Sequence, residues 1–232
     1  PELPNILSYA IDREAIVNGV LLGQGEVAYS PLQKSAYCAT DMETFAYDPE
    51  KAERLLAEAG WSKGADGYYQ KDGERLAFTI AAMADDQVRV DMAAMCASQL
   101  QQIGADVRAE TRQSLDWAGQ EACIIGWGSP FDPDDHTYKI FTTDAGDNYT
   151  AYSDAEVDRL LAEARHTEDT AARTELYHAF QQRLTEHLPY TFLAYVDADY
   201  AMKTNIHGIT EDTVLGHHGV GVFWNIAQWT IA

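Results

Sequence analysis

The chain has 232 residues, 46% hydrophobic and 23% charged, which is enough to bury a core as one large domain or two small ones and too apolar for a disordered segment. Its 37 acidic and 16 basic residues give a formal charge of -21, which would repel nucleic acid and anionic lipid and sets those partners aside. No apolar run is long enough to span a bilayer, and no signal peptide is visible.

In chain order, the sequence opens Pro1-Glu2-Leu3-Pro4 without Met and enters helical sequence almost at once, as a piece of a longer protein would. A first helix is predicted over about Asp12 to Leu22. Asp48-Pro49 opens another, with Ala52, Leu55, Leu56 and Ala59 at helical spacing and Gly60 as its stop. The turn-rich stretch from Gly64 to Gly73 reads as a hairpin with Tyr68 and Tyr69 exposed or half-buried. Leu76, Phe78 and Ile80 alternate with Ala77, Thr79 and Ala81, the period of a strand. A helix over about Asp86 to Ile103 and strands over Asp106 to Thr111 and Ala122 to Trp127 follow.

The run Ile124-Ile125-Gly126-Trp127-Gly128-Ser129-Pro130-Phe131-Asp132-Pro133 carries the most information. Its apolar start suits a strand covered on both faces. Gly126 and Gly128 let the backbone bend, while Pro130 and Pro133 fix φ. Asp132-Pro133 then reads as an N-cap and first helical position of a helix through about Phe141. Two rings, Trp127 and Phe131, thus sit on a stiff loop at the carboxyl end of a strand, where α/β folds bind small ligands; alternatively both rings fill the core.

Further along, Ser153 and Glu156 match a capping box ahead of Val157, Leu160, Leu161 and Ala164. A helix from about Thr170 carries Leu176, Tyr177, Phe180, Leu184 and Leu188 on one face and stops at Pro189. The remaining strand candidates are Thr191 to Val196, Tyr200 to Lys203 and Phe223 to Trp229. Helices alternate with strands and no linker interrupts them, so the expectation is one α/β domain, residues 1–232, with a mixed sheet.

Chemistry-bearing patterns are few. Cys38, Cys96 and Cys123 lie far apart and form no Cys-x-x-Cys pair or zinc spacing; Cys96 and Cys123 read as small core residues. Asp132, Asp134, Asp135 and His136 offer oxygen and nitrogen ligands, yet acids in a first turn also complement the helix dipole, which is the favoured reading. His217-His218 reads as an exposed loop, His207 as a strand end, and His166, His178 and His187 as surface or boundary groups on helices. Arg13 reads as structural. There is no Gly-x-Ser-x-Gly elbow, no His-Glu-x-x-His helix and no phosphate-cradling loop, so an enzyme is not expected; a hydrolase using paired carboxylates is the remote alternative.

Several ordered landmarks carry a family resemblance. They are Ala10-Ile11-Asp12-Arg13-Glu14-Ala15-Ile16, Tyr29-Ser30-Pro31-Leu32, Tyr47-Asp48-Pro49-Glu50-Lys51-Ala52, Leu55-Leu56-Ala57-Glu58-Ala59-Gly60-Trp61 and Lys71-Asp72-Gly73. Gln99-Leu100-Gln101-Gln102-Ile103-Gly104, the Trp127 loop, Tyr152-Ser153, Val157-Asp158-Arg159-Leu160-Leu161 and Phe223-Trp224-Asn225 continue the series. Together they make the chain resemble the C-terminal lobe of family 5 (peptide/nickel) extracytoplasmic solute-binding proteins of ABC importers. The resemblance implies a mixed-sheet lobe of the periplasmic-binding-protein-like fold, type II, cluster C, with the N-terminal lobe, signal peptide and lipid-anchoring Cys lying outside this sequence.

It further implies a protein outside the cytoplasm that closes on a small-molecule or peptide ligand and delivers it to ABC permease subunits. It would need no cofactor and would meet the membrane only through the parent's lipid anchor. In peptide-binding members the loop resembles Trp-x-x-Asp, whose Asp holds the ligand's ammonium group; here Pro130 takes that place. The pattern Trp-Gly-x-Pro-aromatic-Asp-Pro is closer to the nickel-binding branch, in which the Trp and the aromatic line a pocket for a metal chelate. The ligand-binding candidates are Trp127, Gly128, Ser129 and Phe131, with Asn148 and Tyr149 from a loop that resembles the family's cleft rim. No metal ligands are assigned.

Overall fold

The computed structural model describes residues 2–32, 37–128, 132–197, 199–209 and 221–231. Its centre is a β–α–β unit. Strand β5 (Ala77–Met83) leads through helix α4 (Gln87–Ile103) to β6 (Asp106–Arg112), which pairs with β5 in parallel from Ala77↔Asp106 to Met83↔Arg112. On the other edge of β5 lies the short parallel strand β7 (Ala122–Cys123), giving the order β6-β5-β7.

Sequence alternation over Leu76 to Ala81 suggests one covered face. In the fold Ile80, Ala81 and Ala82 are buried in succession, because the central strand of a parallel sheet is covered on both sides. Helix α4 covers one face with Met92, Ala93, Cys96, Leu100 and Ile103. It ends at Gly104, whose φ of 101° only glycine adopts freely and whose missing Cβ leaves room for the carbonyl of Gly67 2.8 Å away.

Before the sheet come α1 (Leu3–Ser8), α2 (Arg13–Gly19), β1 (Gly25–Val27) and α3 (Pro49–Glu58). The expected hairpin is a three-stranded antiparallel ribbon, β2 (Ser62–Lys63), β3 (Tyr69–Lys71) and β4 (Glu74–Arg75). Tyr69 is not a surface ring but a buried one, since its amide donates to the Gly104 carbonyl at 2.8 Å and draws the ribbon against the end of α4.

After the sheet come α5 (Asp134–Phe141), α6 (Ala155–His166), α7 (Thr170–Glu186), β8 (Ala194–Val196, antiparallel to β1), β9 (Ile206–His207) and β10 (Thr230–Ile231), the last two paired. Among the described residues, parallel and antiparallel pairing therefore fall in separate small sheets rather than in one. Two C-terminal expectations are corrected. Tyr200 to Lys203 forms no ladder, and Phe223 to Trp229 lies mostly in 3-10 turns (Gly221–Gln228). Asn225 ties those turns down, donating to the Gly208 carbonyl at 2.9 Å and accepting from the Trp229 indole at 2.9 Å.

Two apolar clusters result. One joins α1–α4 and the parallel sheet through Ile6, Ile16, Leu56, Leu100 and Val107; the other joins α5–α7 through Ile140, Phe141, Leu161, Tyr177, Phe180 and Leu184. Phe192 packs against both. The buried Arg13 supports that junction. Its guanidinium donates to the carbonyls of Phe192 (2.7 Å), Phe45 (3.0 Å), Ser8 (3.2 Å) and Ile11 (3.3 Å) and to the Ser8 hydroxyl (2.6 Å). This matches the structural reading of Arg13.

Candidate functional site

The strand expected from Ala122 to Trp127 keeps its ladder only to Cys123, with one further bond from the Ile124 amide to the Ala81 carbonyl (2.9 Å). The chain then leaves the sheet at its carboxyl end. At Gly126 a Cβ would lie 2.7 Å from Nη2 of Arg89, at the start of α4, so the glycine leaves room for that side chain. The half-buried Trp127 follows.

Its indole stacks on Tyr149, with centroids 5.8 Å apart and planes 20° from parallel. Tyr149 stacks in turn with Trp117 at 6.4 Å and 21°. Three near-parallel rings thus meet from three loops: the 3-10 turn Trp117–Gly119, the segment after β7, and the loop between α5 and α6. Such offset stacking adds about 0.5–1.5 kcal/mol per pair beyond area burial.

Asn148 holds the third loop. Its Nδ2 donates to the carbonyls of Thr142 (3.0 Å) and Tyr152 (2.7 Å), and its Oδ1 accepts from the Tyr152 amide (3.1 Å) and the Thr150 hydroxyl (3.3 Å). This clamp offsets the left-handed backbone at the non-glycine residues Asp144 (φ 57°) and Ala151 (φ 53°). Its four-fold engagement makes Asn148 a support for Tyr149. The Tyr149 hydroxyl donates to Asp147 at 3.4 Å, and burial, with the Asp147 charge second, pushes its pKa up.

The stack forms one wall of a concavity of about 1150 Å³. Phe78, Ile80 and Ile124 line it from the sheet, Arg89 and Met92 from α4, and Tyr190 and Phe192 from the segment before β8. The lining is chiefly apolar, with three buried polar atoms that have no partner among the described residues, Nε1 of Trp127, Nδ1 of His136 and the Tyr190 hydroxyl. Burial pushes the Tyr190 pKa up to about 12, so that hydroxyl stays protonated. An apolar groove with a few unpartnered polar groups at the carboxyl end of parallel strands is the usual setting of a small-ligand site.

Of the sequence candidates, the fold brings Trp127, Asn148 and Tyr149 to the groove, while Gly128 is half-buried beside it. Ser129 and Phe131 lie outside the described residues, as do His217 and His218. Sequence reasoning missed Trp117, Arg89, Tyr190 and Phe192. Trp117 sits in an unpatterned stretch and Arg89 looks like any helix-surface cation, so neither carries a local signal.

The acidic cluster resolves into helix-end chemistry. Asp132 accepts two bonds from Arg173 (2.7 and 2.9 Å) and one from the Asp134 amide (2.9 Å), and the Arg173 bond holds its pKa low. Asp134 pairs with Arg165 at 2.8 Å. Nε2 of His136 lies 3.1 Å from the Pro31 carbonyl; a carbonyl only accepts, so Nε2 carries the proton. Among the described residues no three His, Cys, Asp or Glu groups are close enough to share a metal ion, and no helix is long and apolar enough to cross a membrane.

The family profile described as bacterial extracellular solute-binding proteins, family 5 Middle, matches residues 7–149. This chain belongs to that family. Family 5 relatives include the oligopeptide-binding protein AppA of Bacillus subtilis, 34% identical over 97% of this chain and 43% of its own length. The nickel-binding periplasmic protein of Escherichia coli is 26% identical over 88% of this chain and 41% of its own length. Among solved structures, NikZ of Campylobacter jejuni in complex with Ni(L-His) superposes with a TM-score of 0.87 at 36% identity, covering 98% of this chain and 48% of that one. AppA in complex with a nonapeptide gives 0.83 at 33%, covering 99% and 47%. These neighbours bear out the periplasmic-binding-protein-like α/β fold expected from the sequence. The chain spans less than half the length of these family 5 relatives.

Proposed function

We propose that residues 1–232 form a single α/β lobe of the substrate-binding component of an ABC importer. The whole protein captures oligopeptides or a related small ligand outside the membrane and delivers it to permease subunits. The observation that carries this reading is the ring stack of Trp117, Tyr149 and Trp127 on the wall of an apolar groove, in a family 5 chain. Trp127 meets the ligand, with Gly128, Ser129 and Phe131 of the same sequence run as further ligand-binding candidates; Tyr149 backs the indole and Asn148 fixes the loop. The remaining polypeptide of the parent closes over the groove, and a lipid anchor on the parent holds it at the membrane. The role is capture without chemical conversion.

A second reading, binding of nickel or another metal chelate, is favoured by one specific feature. Pro130 stands where the peptide-binding members carry the ammonium-holding Asp, so a ligand without that ammonium fits as well. Calorimetric titration of the full-length parent with tri- to nonapeptides, and separately with nickel–histidine complexes, distinguishes the two. Peptide binding alone supports the first reading, chelate binding alone the second, and binding of neither overturns both.

A further inference from the structure

The three buried polar atoms on the groove lining that lack a partner among the described residues are Nε1 of Trp127, the Tyr190 hydroxyl and Nδ1 of His136. Their chemistry differs. An indole N–H only donates, and the Tyr190 hydroxyl, kept protonated by burial, has a proton to give. His136 is the exception. Its Nε2 spends its proton on the Pro31 carbonyl at 3.1 Å, which leaves Nδ1 as a lone pair that only accepts.

The imidazole is also held in position. It stands on α5 one turn before Ile140 and Phe141, which line the same groove, and Phe141 meets the Tyr190 ring edge-on with centroids 5.8 Å apart. The Pro31 bond ties the ring to the segment after β1. Tyr195 of β8 braces that segment, its hydroxyl 2.7 Å from the Ser30 carbonyl and 2.5 Å from the Leu32 carbonyl. Burial, the largest cause, lowers the His136 pKa, while Asp135 and Lys139 of the same helix, the charged groups that face the ring, pull it in opposite directions. The imidazole is therefore neutral at neutral pH.

A neutral acceptor costs less to bury in an apolar groove than a carboxylate, and it suits a neutral N–H better than an ammonium, whose charge it would leave uncompensated. Nδ1 is screened from water while the groove is open. Side chains commonly adjust when an interface fills, which brings such an atom within reach of a ligand. We infer that Nδ1 of His136 accepts a hydrogen bond from a neutral N–H of the bound ligand, either a backbone amide of a peptide or an N–H of a metal-bound amino acid. The inference rests on the proposed capture function and names the ligand group that this end of the groove reads.

The test uses the full-length parent as wild type, His136→Gln and His136→Asn. Each is titrated calorimetrically at neutral pH with tri- to nonapeptides and, separately, with nickel–histidine complexes, and melting temperature is recorded alongside. A glutamine amide nitrogen lies as many bonds from Cβ as Nε2 does, so it keeps the Pro31 bond and places nothing at Nδ1. An asparagine amide oxygen lies as many bonds from Cβ as Nδ1 does, so it keeps the acceptor and loses the Pro31 bond. Affinity and stability are therefore expected to part. His136→Gln melts with wild type and raises Kd roughly tenfold, whereas His136→Asn melts lower and binds within about threefold of wild type. The arm that shows the loss, peptide or chelate, names the source of the N–H. A His136→Gln Kd equal to that of wild type, or a His136→Asn Kd no better than that of His136→Gln, overturns the role of His136 and leaves the capture function standing. Binding of no probe by wild type overturns the capture function and this inference with it.

Discussion

At the residue scale, Arg13 shows how a single side chain can join two parts of a fold. Its pKa is lowered to about 10 by burial, so it remains charged at neutral pH, and its hydrogen-bond partners among the described residues are carbonyls and a hydroxyl rather than carboxylates, with the Tyr29 ring 5.0 Å from the guanidinium. Removing it leaves those carbonyls unpaired in the interior, which costs far more than a surface charge does. Arg13→Met is expected to lower stability by about 3–5 kcal/mol in urea unfolding, and Arg13→Lys by nearly as much, because an ammonium cannot span carbonyls on three segments. A cost below about 1 kcal/mol would mean the bonds are marginal.

His136 sets a pH dependence. Burial, the largest cause, lowers its pKa below the ordinary 6.5, outweighing the Pro31 bond and Asp135, which raise it; Lys139 lowers it further. The unfolded chain therefore takes up a proton first as pH falls below 6.5, and stability declines from there down to the folded pKa. Melting temperature should drop between neutral pH and pH 5 in wild type and drop less in His136→Gln. Parallel pH curves for the two proteins would remove His136 from the account.

At the element scale, aspartate is the recurring device. Asp12, Asp48, Asp86, Asp154 and Asp169 each accept an amide bond at the start of α2, α3, α4, α6 and α7. Part of the chain's negative charge is thus helix capping. The caps made the helices legible from sequence, and Gly104 made the end of α4 legible too. One cap was misassigned by a residue. Ser153 bonds the Thr143 hydroxyl, while Asp154 accepts from the amides of Glu156 and Val157 and pairs with Arg183 at 2.9 Å. Asp154→Ala should therefore cost about 1–2 kcal/mol and Ser153→Ala under about 0.5 kcal/mol; the reverse order in thermal unfolding would restore the capping box.

Strands were less legible than helices. The central strand follows from the alternation over Leu76 to Ala81. The short pairs β9 and β10 do not, because two-residue ladders carry no period and depend on contacts distant in sequence. Phe223 and Ile226 look like strand residues by composition, yet both are largely exposed on 3-10 turns that Asn225 fixes.

At the scale of the whole molecule, the run after β7 stood out in the sequence as a candidate ligand site because glycine, proline and aromatic residues meet within ten positions. The rest of the wall was not. Trp117, Tyr149 and Tyr190 reach the groove from segments that no sequence period connects, and only the packing of three loops on the sheet end assembles them. The same packing changes what the candidates do: Asn148 is consumed in holding its loop, so the ring faces and the unpartnered polar atoms of Trp127 and Tyr190 are what the wall presents to the groove.

The direct test of the central claim is a calorimetric titration of the full-length parent and its Trp127→Ala variant with whichever peptide or nickel chelate binds the wild type. Loss of the indole face should raise Kd at least tenfold, about 1.4 kcal/mol, at unchanged fold. An unchanged Kd would contradict the account and make Trp127 a packing residue of the loop.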